Sequence, residues 1–186
     1  MSQIVLQLFM IALSSVLFLF LLQVNGWLFN QFEWIAGVNW VYLPAGARLL
    51  CVLLFRTPGA IGIGLGSWLA GSYYTVHPDP IYTAIVSFLS AFSPYLVYLS
   101  LNNRHNLSAS LSNLTPKLLV QCCFLFAMAS ACLHHVWFAF YGHADASWQS
   151  LLVMATGDFI GAILLLYFVK ILLAVLRKSA LKPKRN

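Results

Sequence analysis

Apolar runs near 20 residues long follow one another through this chain. A run of that length crosses a hydrocarbon core of roughly 30 Å as a helix. Composition agrees: 61% of the 186 residues are hydrophobic, 8% are charged, and the mean hydropathy is +0.86. A soluble domain carries about a quarter charged residues. The runs are continuous and Leu-rich rather than alternating, which argues against a β-barrel. The expected fold is therefore all-α, a polytopic integral membrane helical bundle of about six transmembrane helices, the second one short. Residues 1–178 read as a single transmembrane domain and 179–186 as a basic cytoplasmic tail. No room is left for a separate catalytic domain, and no G-x-S-x-G or H-E-x-x-H motif occurs, so a non-enzymatic protein is expected.

The spans are expected at about 4–29, 41–55, 60–74, 81–101, 118–141 and 148–176. The first lacks the basic n-region of a signal peptide and is too long for its apolar segment. Trp27, Trp34 and Trp40 flank the break after it, as an interfacial aromatic belt would. The second is only about 15 residues, or ~22 Å, with Pro44 in its first turn, where a missing N–H costs little. Arg56 to Gly59 reads as a tight turn. Pro94 should kink the fourth span. Whether residues 30–43 form a loop or re-enter the membrane is open at this point.

Net charge is +6, and five of the ten Lys and Arg residues lie in the tail as Arg177, Lys178, Lys182, Lys184 and Arg185. Such a tail is a topology signal before it is a nucleic-acid signal, and no nucleic-acid partner is expected. With six spans, Arg56, Arg104, Lys117 and the tail fall on one side, and Glu33, Asp79 and Asp145 on the other. The positive-inside rule then places both termini in the cytoplasm, which for a bacterial protein means a multi-pass protein of the inner membrane. The expected partners are the lipid bilayer and a membrane protein or a second copy of the chain.

The residues from Trp40 to Gly71 carry more than a lipid anchor needs: two prolines, six glycines and, inside an apolar run, Arg48. Asp158, in T-G-D-F-I-G, is the one acid in a long apolar run. Ionisable residues within a bilayer are expensive and usually face a partner or a wet cavity. Arg48 and Asp158 are both expected in the same half of the membrane, as an ion pair or as joint holders of a polar ligand. Gly62, Gly66 and Ala70 recur every fourth residue and share one face, and Gly157 and Gly161 form another. The simplest bundle packs the sixth span on the glycine face of the third, with the second span and its Pro44 and Gly46 beside them. Cys51, Cys122, Cys123 and Cys132 lie within spans without zinc spacing and read as packing residues.

Histidines suggest another chemistry. His134 and His135 lie in the fifth span, and the loops carry His77-x-Asp79 and His143-x-Asp145. With Glu33 these form a candidate transition-metal set, since imidazole and carboxylate suit several such ions. A haem held by histidines of two spans is a variant. A transport role, as a six-span substrate-binding or carrier subunit, is a further alternative.

Two short motifs carry a family likeness. The run W-V-Y-L-P-A-G-A-R-L-L, followed by R-T-P-G-A-I-G-I-G-L-G-S-W-L-A, resembles the early spans of the first type of bacterial membrane-associated sensor domain, the MASE family. The run G-D-F-I-G-A-I-L-L-L-Y-F-V is similar to that family's final-span signature. Pro44, Gly46, Gly157, Asp158 and Gly161 match position by position, and the likeness extends over about 38–176. The family usually has more spans, an apolar residue in place of Arg48, and a fused diguanylate cyclase or histidine kinase. The resemblance implies a sensing or partner-binding membrane module. No output domain is present in these residues, so a separate protein is expected to supply the output.

Overall fold

A computed structural model describes residues 2–35, 37–74, 79–105, 115–141 and 147–180. It is an all-α bundle of six helices: α1 (Gln3–Phe29), α2 (Leu43–Phe55), α3 (Thr57–Tyr74), α4 (Pro80–His105), α5 (Pro116–Tyr141) and α6 (Trp148–Ala180). A short 3₁₀ turn (Asn30–Phe32) and a small antiparallel hairpin, β1 (Glu33–Ile35) with β2 (Val38–Asn39), join α1 to α2. Among the described residues four helices, α1, α4, α5 and α6, are long and apolar enough to cross a membrane. That is fewer than the six spans the hydropathy pattern suggests. α2 has 13 residues, and α3, with 18, is not among the four.

The shortness of α2 has a structural cause. After the hairpin the chain does not start a helix at the bundle end. It first descends along α6, with the Tyr42 N–H donating to the Gly157 carbonyl at 3.2 Å. Gly157 is nine residues into α6, a descent of roughly 14 Å. Extended backbone at that depth is tolerable only where its polar groups find partners inside the protein. Trp40 N–H donates to the Phe32 carbonyl at 3.0 Å. Leu43 N–H donates to Oδ1 of Asn25, an α1 residue, at 2.8 Å. The described part of the segment that was open between loop and re-entrant is thus a hairpin followed by a half-buried, descending strap.

α2 begins deep and is apolar all round, the pattern of a buried core helix rather than a surface one. Every residue from Pro44 to Leu53 is buried. α2 touches each of the other five helices. Its leucines and valines, with Val97, Leu101, Leu119, Cys122, Cys123, Phe126 and Ala162, form the main core.

Asn25 deserves a test of its own role, because it is a buried polar residue in an otherwise apolar helix. Its side chain caps α2 from a different helix. Asn25→Ala leaves the Leu43 N–H without its acceptor, and a lost cap costs about 1 kcal/mol, up to about 2. The expected result is a lower unfolding midpoint in a denaturant titration, with the α2 amides near Leu43 exchanging hydrogen faster.

Two sequence expectations change here. The tight turn shrinks to Arg56, whose φ of 56° lies in the left-handed region. Thr57, Pro58 and Gly59 belong to the first turn of α3, where proline is acceptable. The glycine face of α3 does not receive α6. A Cβ on Gly62 would overlap the Ile11 carbonyl of α1, and one on Gly66 would press on Ser15 and Phe18. Ser15 Oγ donates to the Gly62 carbonyl at 2.6 Å across this interface. Periodicity identifies a close-approach face but not the neighbour that uses it. α6 continues to Ala180, two residues past the expected end of the transmembrane domain at 178; residues 181–186 lie outside the described residues.

Candidate functional site

α6 is brought against α2 by glycines. A Cβ at Gly157 would overlap the Asn39 carbonyl, and one at Gly161 the Tyr42 carbonyl. A Cβ on Gly46 would meet the Leu165 side chain and the Gly161 carbonyl. Gly157, Gly161 and Leu165 stand four residues apart on one face of α6, under Asn39, Tyr42 and Gly46 in the same order. Asp158, next to Gly157, is then held in the interior at 1% exposure, and Arg48 at 2%.

The expected pair exists, at the long end of ion-pair distance: Arg48 Nη1 lies 3.7 Å from Asp158 Oδ2. The guanidinium makes its shorter contacts elsewhere. Nε donates to the Ser90 carbonyl at 3.0 Å, and Nη2 to Ser93 Oγ and Ser130 Oγ, each at 3.1 Å. Its carbon sits 5.2 Å from the centre of the Phe126 ring, a cation–π distance. Asp158 Oδ2 is buried without a hydrogen-bond partner.

The Ser90 contact has a covalent origin. Pro94 lies inside α4 and has no N–H, so the carbonyl four residues earlier, Ser90, loses its helical donor. Arg48 supplies a donor in its place. The proline that reads as a kink in the sequence is therefore also the feature that prepares an acceptor for Arg48. From one buried helix, Arg48 thus reaches α4, α5 and α6.

Magnitudes show which contact dominates. At 3.7 Å the attraction of the two charges is about 4 kcal/mol at an effective dielectric constant near 20, whereas desolvation costs several kcal/mol per ion. The pair alone does not offset that cost. Hydrogen bonds from a charged donor contribute about 1.5–3 kcal/mol each, and Arg48 makes three. Arg48 is anchored mainly by α4 and α5, and Asp158 is the loosely held member.

His134 and His135 turn to different neighbours. His134 Nδ1 donates to the Ser130 carbonyl at 2.8 Å, with Nε2 3.5 Å from Ser90 Oγ. His135 Nδ1 donates to the Ala131 carbonyl at 3.0 Å, with Nε2 3.1 Å from Ser150 Oγ. Adjacent residues on a helix point about 100° apart, so one ring faces α4 and the other α6. Among the described residues no group of three or more His, Cys, Asp or Glu side chains is placed to hold a metal ion. His77, His143 and Asp145 lie outside the described residues. Asp79 caps α4, accepting from the Ile81 N–H at 2.8 Å and from the Tyr141 hydroxyl.

No protein-family model, curated protein or solved structure matches this chain. The likeness of Pro44, Gly46, Gly157, Asp158 and Gly161 to the MASE motifs therefore stays a resemblance. Within it, the structure gives the matched positions a shared physical role: four of them form or border the α2–α6 contact, and the fifth, Asp158, faces Arg48.

Sequence reasoning did not single out Ser90, Ser93, Ser130, Asn25 or Tyr42. A signal existed for the first: a helix-interior proline orphans a definite carbonyl. Asn25 was equally visible as a polar residue in an apolar span.

Proposed function

We propose that this protein is a non-enzymatic membrane module that docks a partner protein and reports a change in its own helical core to it. The observation that carries this reading is the Arg48 joint. One side chain on a buried helix holds α4 and α5 by three hydrogen bonds and faces Asp158 of α6 at 3.7 Å, so a change at Asp158 alters one contact of Arg48 and leaves the other three in place. Signal transfer needs such an element with two arrangements of similar free energy. The MASE resemblance points the same way, since those domains pass a membrane event to an output domain. The four long apolar helices cross the bilayer, with α2 enclosed between them. The end carrying Arg56, Arg104, Lys117 and both termini faces the cytoplasm of a bacterial inner membrane, and Glu33 and Asp79 face the opposite side. Transport would need a passage beside Arg48. A groove of about 370 Å³ between Val16, Phe20, Leu69 and Tyr73 lies instead between α1 and α3.

The test is purification from native membranes at native expression level, in mild detergent, with quantitative mass spectrometry of co-eluting proteins. Wild type is run beside Asp158→Asn at matched amounts. The expected result is a membrane or cytoplasmic partner whose recovery changes by about fivefold or more in the variant, the low end of ordinary coupling between sites. A profile with no specific protein, or one identical in both chains, overturns the proposal.

A further inference from the structure

The polar residues of the bundle interior are not scattered. On α4, Thr83, Ser87 and Ser90 are all buried. Their spacing of four and three residues places them on one stripe, which begins one turn from Asp79 at the helix start and ends at Arg48. Ser93 continues it, and His134 and Ser130 of α5 lie beside it through the Ser90 and Arg48 contacts. A helix facing only apolar neighbours gains nothing from a row of hydroxyls that packing could replace with alanine. On the far side of Arg48, 3.7 Å from Nη1, lies a carboxylate oxygen of Asp158 that is buried and has no hydrogen-bond partner.

We propose that Asp158 is a proton-binding site served by the Thr83–Ser87–Ser90–His134 stripe from the end of the bundle that carries Asp79. The proton comes from water at that end, and the carboxylate becomes a carboxylic acid. The Arg48–Asp158 pair passes from net zero to a single positive charge. Arg48 can hold that charge alone, because its contacts to the Ser90 carbonyl, Ser93 and the Phe126 ring do not involve Asp158; Ser130 is shared by the two side chains. An arginine does not give up its own proton, so the exchanging group is Asp158. The other titratable or charged groups around it are Arg48 and Tyr42 on the α2 side and His134 on α5, which faces Arg48; α4 presents serines. Protonation removes the attraction between α2 and α6, the loose contact of the joint. This inference deepens the proposed function by naming the proton as what the module senses, and it rests on that reading for its consequence only. Proton binding is measured without any partner, so the two proposals fail separately.

The test is infrared difference spectroscopy on the full chain in lipid nanodiscs. The sequence has three aspartates, at 79, 145 and 158. A chain with Asp79→Asn and Asp145→Asn, grown with carboxyl-labelled ¹³C-aspartate, leaves Asp158 as the sole labelled carboxyl. Asn also caps helices, so the loss at position 79 is mild. The expected result is an isotope-shifted protonated-carboxyl band that disappears as pH rises through the range in which the protein stays folded. A label that stays carboxylate throughout, or stays protonated throughout, overturns the site. Thr83→Val with Ser87→Ala is expected to slow the response to a pH jump roughly tenfold, the effect of about 1.4 kcal/mol on a barrier, without moving its midpoint. An unchanged rate overturns the route along α4.

Discussion

Arg48→Met is expected to destabilise the bundle by about 3–5 kcal/mol, and Asp158→Asn by only about 1–3 kcal/mol. A symmetric ion pair would give similar costs for the two. Here the arginine variant removes the donors to the Ser90 carbonyl, Ser93 and Ser130 together with the charge that faces Asp158. The aspartate variant removes the 3.7 Å contact and the carboxylate's charge, while its amide can still take up the Ser130 hydrogen bond. Denaturant-induced unfolding followed by tryptophan fluorescence measures both. Equal costs would show that the charge pair, and not the α4 and α5 hydrogen bonds, anchors Arg48.

A third substitution separates the parts. Pro94→Ala restores an N–H that can bond the Ser90 carbonyl. In the Arg48→Met chain that carbonyl is orphaned, and the added donor should recover about 1–2 kcal/mol, the net value of one hydrogen bond. In the wild-type chain the carbonyl already has Arg48. There the new N–H competes with the guanidinium, and the smaller side chain leaves part of the space of the fully buried proline ring unfilled, so Pro94→Ala is expected to destabilise. The sign of the Pro94→Ala effect should reverse between the two backgrounds. The same sign in both would mean that the proline acts on α4 alone.

How much of this was legible in the sequence depends on whether the signal was local. Arg48 and Asp158 could be picked out because a charge in an apolar run is costly wherever it sits. The glycine pairs marked close approach for the same reason. Their partners were not legible: Gly157 and Gly161 meet the backbone of Asn39 and Tyr42, far away in the sequence, and Gly62 and Gly66 meet α1. The short second span was visible as a length, but its cause was not. The strap over Gly157 uses backbone hydrogen bonds that leave no side-chain pattern. His134 and His135 show the reverse error, in which a type of residue was read without its geometry. Neighbouring positions on one helix diverge, and the i−4 carbonyls of Ser130 and Ala131 each take a ring N–H.

The largest effects on folding are expected at two positions where the lost space is a single methyl group. Gly157→Ala and Gly161→Ala each place a Cβ on a carbonyl oxygen, of Asn39 and of Tyr42. Overpacking against a side chain costs about 1–3 kcal/mol because a rotamer can give way. Backbone has no such freedom, and this stretch is pinned by the Tyr42 bond to Gly157 and the Leu43 bond to Asn25. About 3 kcal/mol or more is expected for each, beyond that range. Two internal controls set the scale. Gly26→Ala enters open space, and Gly64→Ala meets the Ala91 side chain at 3.5 Å and the Ser87 carbonyl at 3.9 Å, both ordinary contacts. Both should be neutral or stabilising by up to about 1 kcal/mol, the helix-propensity difference between the residues. If Gly157→Ala and Gly161→Ala behave like these controls, α2 and α6 are not in the contact described. If they unfold the protein as expected, milder crowding at Gly46, where the Leu165 side chain can yield, becomes the instrument of choice. It would widen the α2–α6 gap without removing either charge. The Asp158 carboxyl would then lose part of its attraction to Arg48 while the α4 and α5 contacts of Arg48 stay in place.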